Sequence, residues 1–580
     1  MAQERKIGVF VCYCGGNISD YVDVEQVRDV IAMEPGVVIA KTHMFTCSDA
    51  AQQEMIDDIK TAELDGLVVA SCAPSLHMHT FRGMAERAGL NPYQYVHVNL
   101  REQCSWAHTD DKKGATKKAI HLIRSGIAKC ALTHPLNPLR VATKPRVLVI
   151  GAGVAGMRAS ISLADMGLAV YLVEKEARPG GWSLEAGRMG PEGQLGSDVV
   201  ATLLQRIQAN DRIVIYTQAE LVEKTGSIGD FNVKINVKGE QEISLNVGAI
   251  IVTTGFTPYI PDKGEYGWGA GGVVGMLQFR QMLAQGKLEH RGVPLRDVVF
   301  IYCVGSRQAA TESCPNPNLY CSRYCCTAAT YTAVLLHQLE IETRQTVNQY
   351  HLYRDIRTYG SLETIYEEAR HGGALFLRWE PDNPPVVEEA DGRLSVKVRD
   401  TLDAGEEIEI GADLVVLVTG MEPRENDRLN QVLKIPQGAD GFYKEIHPKL
   451  RPVETVIDGV FIAGTAQSPK TMSESVVSAL AAVAKTGGLL KKGYVDLEPL
   501  VAQVDIDKCT WCGECLKACP YNAIEKVICG DKEVAMVIPS LCKGAGPCVP
   551  VCPHDAIAIE GFRNDQIIAM IDASLKEATV

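Results

Sequence analysis

No apolar run in this chain reaches the ~18 residues that would cross a bilayer, and the opening MAQERKIGVF has no apolar leader core. A basic tract is missing too, and the formal net charge is −13. Nucleic acid is thereby disfavoured as a partner, and nothing polybasic is available to grip a membrane surface. The cytoplasm is the expected compartment, with no membrane span. Cysteine is absent from two long stretches, one between Cys130 and Cys303 and one between Cys326 and Cys509.

Where cysteine does occur it is dense. The 580 residues, enough for several domains, hold 19 cysteines in three groups: Cys12 to Cys104 with Cys130 beyond, Cys303 to Cys326, and Cys509 to Cys552. In a reducing compartment such groups suggest metal sites or redox chemistry rather than disulfide staples.

The last group is the most specific. CTWCGECLKACP sets Cys509, Cys512, Cys515 and Cys519 at the C-x2-C-x2-C-x3-C-P spacing of bacterial-type ferredoxins, in which the fourth thiolate serves the other cluster. A structural zinc would ask for two separated pairs instead. CKGAGPCVPVCP repeats the pattern with Cys542, Cys548 and Cys552, but Ala545 stands where a cysteine is due. One cluster then has Cys509, Cys512, Cys515 and Cys552. The other has Cys519, Cys542 and Cys548, which suits [3Fe–4S] or a cube with a foreign fourth ligand. Cys529 is a candidate donor, and an empty second site is the bland alternative.

The middle of the chain has the pattern of a dinucleotide-binding β-α-β unit. A strand to Ile150 is followed by Gly151, Ala152, Gly153, Val154, Ala155 and Gly156, then a helix and a second strand ending at Glu174 and Lys175. The glycines let backbone amides approach a pyrophosphate, and the acid suits a ribose hydroxyl. Gly180, Gly181 and Trp182 in RPGGW favour FAD. So does the near repeat IVTTGFTP (with Thr254 and Gly255) and LVTGMEP, in the manner of reductases built from two dinucleotide folds. VFIAGTAQSPK adds Gly464 and Thr465 before a helix expected from about Ser473, its amide end toward the flavin. Thr465 stands where many such proteins have an acid.

Between the Thr-Gly elements a second dinucleotide strand, VVFIYCVGS, leads into no glycine loop. It leads to YCSRYCC. Cys303, Cys321, Cys325 and Cys326 make a four-thiolate set, with Cys314 spare and Arg323 available to offset cluster charge. A vicinal disulfide or inert buried thiols are the competing readings. In the N-terminal region, Cys12, Cys47, Cys72 and Cys104 each fall at or just past a strand end. In a parallel sheet these ends share one crevice, and Cys14 is an alternative first ligand. Cys130 is expected to be structural, and His77, His79 and His108 are expected not to ligate.

The segments MFTCSD, ASCAPSLHMHTFR, NPYQYVHVNLREQCSWAH, GAGVAG, CVGSR, YCSRYCC, AQSPK and the terminal cysteine module together resemble the A subunit of heterodisulfide reductases over nearly the whole chain. The resemblance implies an FAD- and iron–sulfur-containing electron-transfer protein, an oxidoreductase that in several members bifurcates electrons. Its implied partners are the other subunits of a heterodisulfide-reductase-like complex and ferredoxin, with two copies of the chain paired in the assembly. Some members belong to methylene-tetrahydrofolate- or aromatic acyl-CoA-reducing complexes, so the acceptor stays open. The additional ferredoxin module of some relatives is absent from residues 216–239.

The expected fold is α/β: an N-terminal parallel-sheet iron–sulfur domain (1–140), a thioredoxin-reductase-like two-dinucleotide-fold FAD domain, and a ferredoxin-like α+β two-cluster module (499–562) before a C-terminal helix (563–580). The FAD domain divides into 141–262 and 413–498 around a degenerate NAD(P)-type part, 263–412, that carries an iron–sulfur site. The expected cofactors are one FAD and about four clusters. No acid, base or nucleophile is placed for catalysis on an organic substrate. An NAD(P)H-dependent thiol/disulfide oxidoreductase and a non-enzymatic redox sensor or scaffold are the alternatives.

Overall fold

The computed structural model describes residues 5–310, 314–390, 393–402 and 405–576, and the chain divides into two compact units. The first unit joins the chain's two ends, Met1–Val141 and Asp496–Val580; the second is Ala142–Val495.

In the first unit four parallel strands lie in the order Val37–His43, Ile7–Cys12, Gly66–Ser71 and Tyr95–Asn99. Successive residues face opposite sides of a strand, so the apolar strands feed two cores. Val9, Val11, Val68 and Ala70 pack against helices Val24–Ile31 and Lys112–Ala131. Phe10, Leu67 and Val69 pack against Asp49–Thr61 and Pro74–Ala88. Side-chain caps start three of these helices, at Asp23, Ser48 and Asp111, and Pro74 starts the fourth. Strand order reverses between Ile7–Cys12 and Gly66–Ser71, where open sheets form their crevice.

The ferredoxin-like module in the same unit is built from two antiparallel pairs, Ala502–Val504 with Ile557–Ile559 and Ile524–Cys529 with Lys532–Val537. Helix Asn564–Leu575 lies against Lys112–Ala131, where Ser125 Oγ donates to the Met570 carbonyl at 2.9 Å. The last four residues of the expected 563–580 segment lie outside the described residues.

The second unit repeats one plan twice. A five-stranded parallel sheet runs Ile213–Tyr216, Ala169–Val173, Arg146–Ile150, Ala249–Val252, Val460–Ile462, with the antiparallel meander Ala219–Ser227, Asp230–Val237, Gln241–Val247 beside it in sequence. The other sheet runs Val273–Gly275, Leu414–Thr419, Asp297–Val304, Asn348–Tyr353, Leu375–Arg378, with the meander Val386–Ala390, Arg393–Arg399, Glu407–Ala412. The near-repeated Thr-Gly segments meet each other, since Phe256–Pro258 pairs antiparallel with Met421–Pro423.

His351 lies fully buried in the second sheet between the rings of Phe300 at 4.3 Å and Phe376 at 4.7 Å, with Nδ1 3.0 Å from Tyr302 Oη. Burial pulls its pKa from 6.5 down to about 3. The unfolded chain therefore binds a proton that the folded chain refuses. Stability falls as pH drops below about 6.5 and keeps falling toward pH 3. His351→Phe is expected to lose about 2 kcal/mol less than the native chain between pH 7 and pH 5 in urea unfolding. An unchanged pH dependence would refute this assignment.

Candidate cofactor sites

A cavity of about 540 Å³ opens at the ends of the first sheet's strands, walled by Gly151, Gly153, Glu174, Trp182, Thr254, Gly255 and Thr465. The three loop glycines have different reasons to be there. At Gly151 φ is +102°, and a Cβ would lie 2.4 Å from the Thr253 carbonyl oxygen; at Gly156 a Cβ would lie 1.9 Å from that of Gly151. At Gly153 a Cβ would meet no protein atom within 4 Å. It would project into the cavity, where close backbone approach to a ligand is the remaining demand for glycine. Helix Val154–Asp165 begins there with its amides unpaired, as a pyrophosphate requires. Glu174 fixes the loop: its carboxylate accepts from the Ala152 N–H at 2.6 Å and the Glu176 N–H at 2.9 Å.

Val154, Ala155, Lys175, Gly180 and Gly181 also reach the cavity. Ala152 is buried behind the wall. Gly464, at φ +68°, stands where a Cβ would press on Ala155 at 3.0 Å. Sequence reasoning missed Asn426, Lys470, Thr471 and Ser475 on this wall. For the last three the signal was legible: Thr471 and Glu474 form a capping box that starts helix Met472–Lys491 one residue before Ser473. Lys470 Nζ donates to Ser468 Oγ at 2.7 Å, and burial pulls its pKa down to about 8. These residues fit a flavin dinucleotide.

At the corresponding end of the second sheet the phosphate loop is replaced by thiols. Strand Asp297–Val304 carries Cys303, at φ +63°, next to its last residue, and the first turn of helix Tyr324–Thr343 holds the buried Cys325 and Cys326 after Arg323 at φ +58°. Left-handed backbone at non-glycine residues is strain of the kind that functional loops carry. The Arg323 N–H donates to Cys321 Sγ at 3.3 Å. Cys325 and Cys326 are both free thiols. Cys325 hydrogen-bonds Cys326, and this bond with the Arg357 and Arg307 charges holds the Cys326 thiol below its ordinary range. Cys303 feels Cys326 and Cys321, and burial pushes it up to about 11. Four arginines surround the set. Arg307 Nη1 is 4.0 Å from Cys303 Sγ, Arg354 and Arg357 bear on Cys303 and Cys326, and Arg323 pairs with Glu474 of the flavin-side capping box. Cys314 stands aside, 3.9 Å from Gln308 Oε1.

In the first unit Cys12 and Cys14 lie in the crevice within electrostatic reach of each other, and Cys47 and Cys72 each lie within reach of both. Cys12 Sγ accepts the N–H groups of Cys14 at 3.2 Å and Thr46 at 3.4 Å. Arg101, which the sequence did not single out, donates to Cys14 Sγ at 3.6 Å. Cys104 is not part of this gathering. Its buried thiol donates to the Ala115 carbonyl at 3.0 Å, because the wide π turn Arg101–Ser105 rotates it toward the helix. Cys130 is buried against the Leu67 and Gln94 carbonyls.

In the terminal module a small cavity is lined by Cys509, Cys512, Cys515 and Cys552. Cys548 feels Cys542 and Cys519. Four of the module's sulfurs accept backbone amides: Cys509 from Ala535, Cys519 from Ala523, Cys542 from Ala502 and Cys552 from Ala556, at 3.3–3.4 Å. Such bonds stabilise thiolates that carry cluster charge. Cys529 is exposed at the hairpin end, where Lys532 donates to the Ile506 and Asp507 carbonyls on the Cys509 side of the module. Among the described residues no three His, Cys, Asp or Glu side chains close on a point as a lone ion would need. Thiolates of a cube bind separate irons and stand apart.

The profile of FAD-dependent oxidoreductases matches residues 146–236, and that of 4Fe-4S dicluster domains matches 503–556. The A subunit of the H(2):CoB-CoM heterodisulfide,ferredoxin reductase of Methanothermobacter thermautotrophicus is 37% identical over 662 residues, covering 99% of this chain and 98% of its own. This chain belongs to the family of heterodisulfide reductase A subunits. Another member, the iron-sulfur A subunit of the CoB--CoM heterodisulfide reductase of Methanocaldococcus jannaschii, is 35% identical over 98% of both chains. Both alignments exceed 580 positions, so these heterodisulfide reductase A subunits carry segments this one lacks. Among solved structures, thioredoxin reductase from Lactococcus lactis covers 60% of this chain and 99% of its own, at 17% identity and a TM-score of 0.40.

Gly153 has an extended backbone (φ −74°) and open space beside it, so Gly153→Val is expected to fold as before. Its flavin affinity should drop about tenfold or more, read as flavin absorbance per chain after gel filtration. Gly156→Ala should instead lower both flavin content and melting temperature. Equal loss of fold in both variants would remove the case for a ligand at Gly153.

Proposed function

We propose that this chain is the electron-distributing flavin subunit of a heterodisulfide-reductase-like complex, exchanging electrons with a donor subunit, ferredoxin and a terminal reductase. The carrying observation is the duplicated dinucleotide fold in which one copy keeps its glycine loop and the other substitutes Cys303, Cys321, Cys325 and Cys326 under four arginines. FAD accepts electrons in pairs and can pass them on singly, which is the chemistry a bifurcating protein needs. The protein's part is to hold and bias. The Gly151–Gly156 loop and the helix at Thr471 direct amides into the cavity, and Lys470 Nζ, with its pKa of about 8, can hold or yield a proton at the wall near neutral pH. Arginines beside the thiolates favour the reduced, more negative cluster.

The reading assigns four clusters: one at Cys12, Cys14, Cys47 and Cys72, one at the Cys303 set, and two in the terminal module, the outer one [3Fe–4S] for want of a thiolate at Ala545. We infer a cytoplasmic assembly in which two copies of the chain pair; among the described residues no helix is long and apolar enough to cross a membrane. The lowered Cys326 thiol is the one observation that favours a dithiol reductase instead.

Anaerobic purification is expected to yield one FAD and about fifteen or sixteen irons per chain, with no rapid flavin bleaching by NADH or NADPH alone. About eight irons together with fast bleaching would favour the dithiol reading. Arg323→Gln removes a half-exposed cation from the Cys321 loop and should lower that cluster's midpoint by about 20–40 mV in an EPR redox titration. An unmoved midpoint would exclude an electrostatic role for Arg323.

A further inference from the structure

The two halves of the terminal module align in sequence at an offset of 33 residues. Left-handed residues recur in pairs: Trp511 (φ 51°) with Gly544 (62°), Gly513 (78°) with Gly546 (84°), and Asn522 (52°) with Asp555 (47°). The amide-to-sulfur bonds recur likewise. Ala535 N–H on Cys509 matches Ala502 N–H on Cys542, and Ala523 on Cys519 matches Ala556 on Cys552. Ala545 therefore occupies the backbone position of Cys512, and the second site retains its loop geometry despite the lost thiolate.

Position matters as much as identity. Cys512 is the exposed ligand of its set, and Ala545 is exposed in turn, whereas Cys548 is buried and Cys519 and Cys542 are half-buried. The missing ligand is thus the solvent-facing one. The Ala545 methyl cannot donate, and the hairpin end bearing Cys529 is anchored on the Cys509 side. A metal ion at this corner would be held by cluster sulfides and water alone, without the protein thiolate that retains iron at the other corners.

Resting on the three-thiolate reading above, we infer that the Ala545 corner is an exchangeable metal position. The reduced cluster on Cys519, Cys542 and Cys548 takes up one divalent iron from solvent and yields it again. The step balances without an electron donor: [3Fe–4S]0 and Fe2+ give [4Fe–4S]2+, and removal of Fe2+ by a chelator reverses it. Cluster type, and with it the potential at the module's outer end, then follows the supply of divalent iron.

The test uses the full chain, purified anaerobically. Its oxidised EPR spectrum should carry a three-iron signal. Reduction with dithionite, incubation with Fe2+, desalting and mild reoxidation should abolish that signal with a gain of one iron per chain, and a chelator applied to the reduced protein should restore it. Ala545→Cys should show no three-iron signal and no response to either reagent. A three-iron signal indifferent to Fe2+ would overturn the exchange while leaving the three-thiolate reading intact. A four-iron cluster that keeps its iron through the chelator would overturn it by requiring a protein ligand at the corner. No three-iron signal, with iron short by a whole cluster, would overturn the three-thiolate reading itself.

Discussion

At the Gly151–Gly156 loop and at six of its cysteines this chain meets negative charge with backbone N–H groups, and the position of those groups sets where each of these sites can lie. At the Gly151–Gly156 loop they open toward a cavity because glycine allows the close turn. At Cys12, Cys321 and the four sulfurs of the terminal module they point at thiols, over 3.2–3.4 Å. A parallel strand that gives way to a loop and then a helix provides such amides at its carboxyl end. That geometry is indifferent to whether phosphate or thiolate receives it, so one scaffold serves both, and substituting cysteines for glycines redirects a site without rebuilding its sheet.

The second dinucleotide fold is the clearest case. Its five parallel strands and meander repeat the first, so its core did not need to change when its loop did. Thiolates, however, demand charge compensation that a glycine loop does not. Burial pushes Cys303 up to about 11, a cost that neighbouring cations reduce. Arg307, Arg323, Arg354 and Arg357 come from the loop after one strand and the segment after the next, and they reach the thiols only because those strands are neighbours in the sheet.

What could be read from sequence divides along the same physical line. Glycines at left-handed or crowded positions, apolar strands and cysteine spacing are local properties, so the flavin loop, the two sheets and the terminal repeat were legible. Side-chain direction past a strand end is not local. Cys104 stands at a strand end like the others, yet the π turn aims it at Ala115 and leaves the crevice to Cys14 and Arg101. Arg323 was legible beside its cysteines, but Arg307, Arg354 and Arg357 were hidden for a similar reason, since their approach depends on strand order rather than spacing. The joining of the chain's two ends in one unit depends on helix Asn564–Leu575 finding Lys112–Ala131, which no local pattern announces.

Arg323 ties these threads together. It sits between Cys321 and Cys325 in a left-handed conformation, and its guanidinium pairs with Glu474, whose carboxylate also accepts from Tyr359 Oη at 2.5 Å and from the Thr471 N–H at 2.8 Å. Thr471 lines the flavin cavity, so one carboxylate fixes both the start of the cavity-facing helix and the loop that carries the thiols. Cys321 lies within electrostatic reach of Arg323, whose partner carboxylate caps the first turn of that helix. The same pair joins the two halves of the duplicated fold, tying the loop of one to the cavity-facing helix of the other.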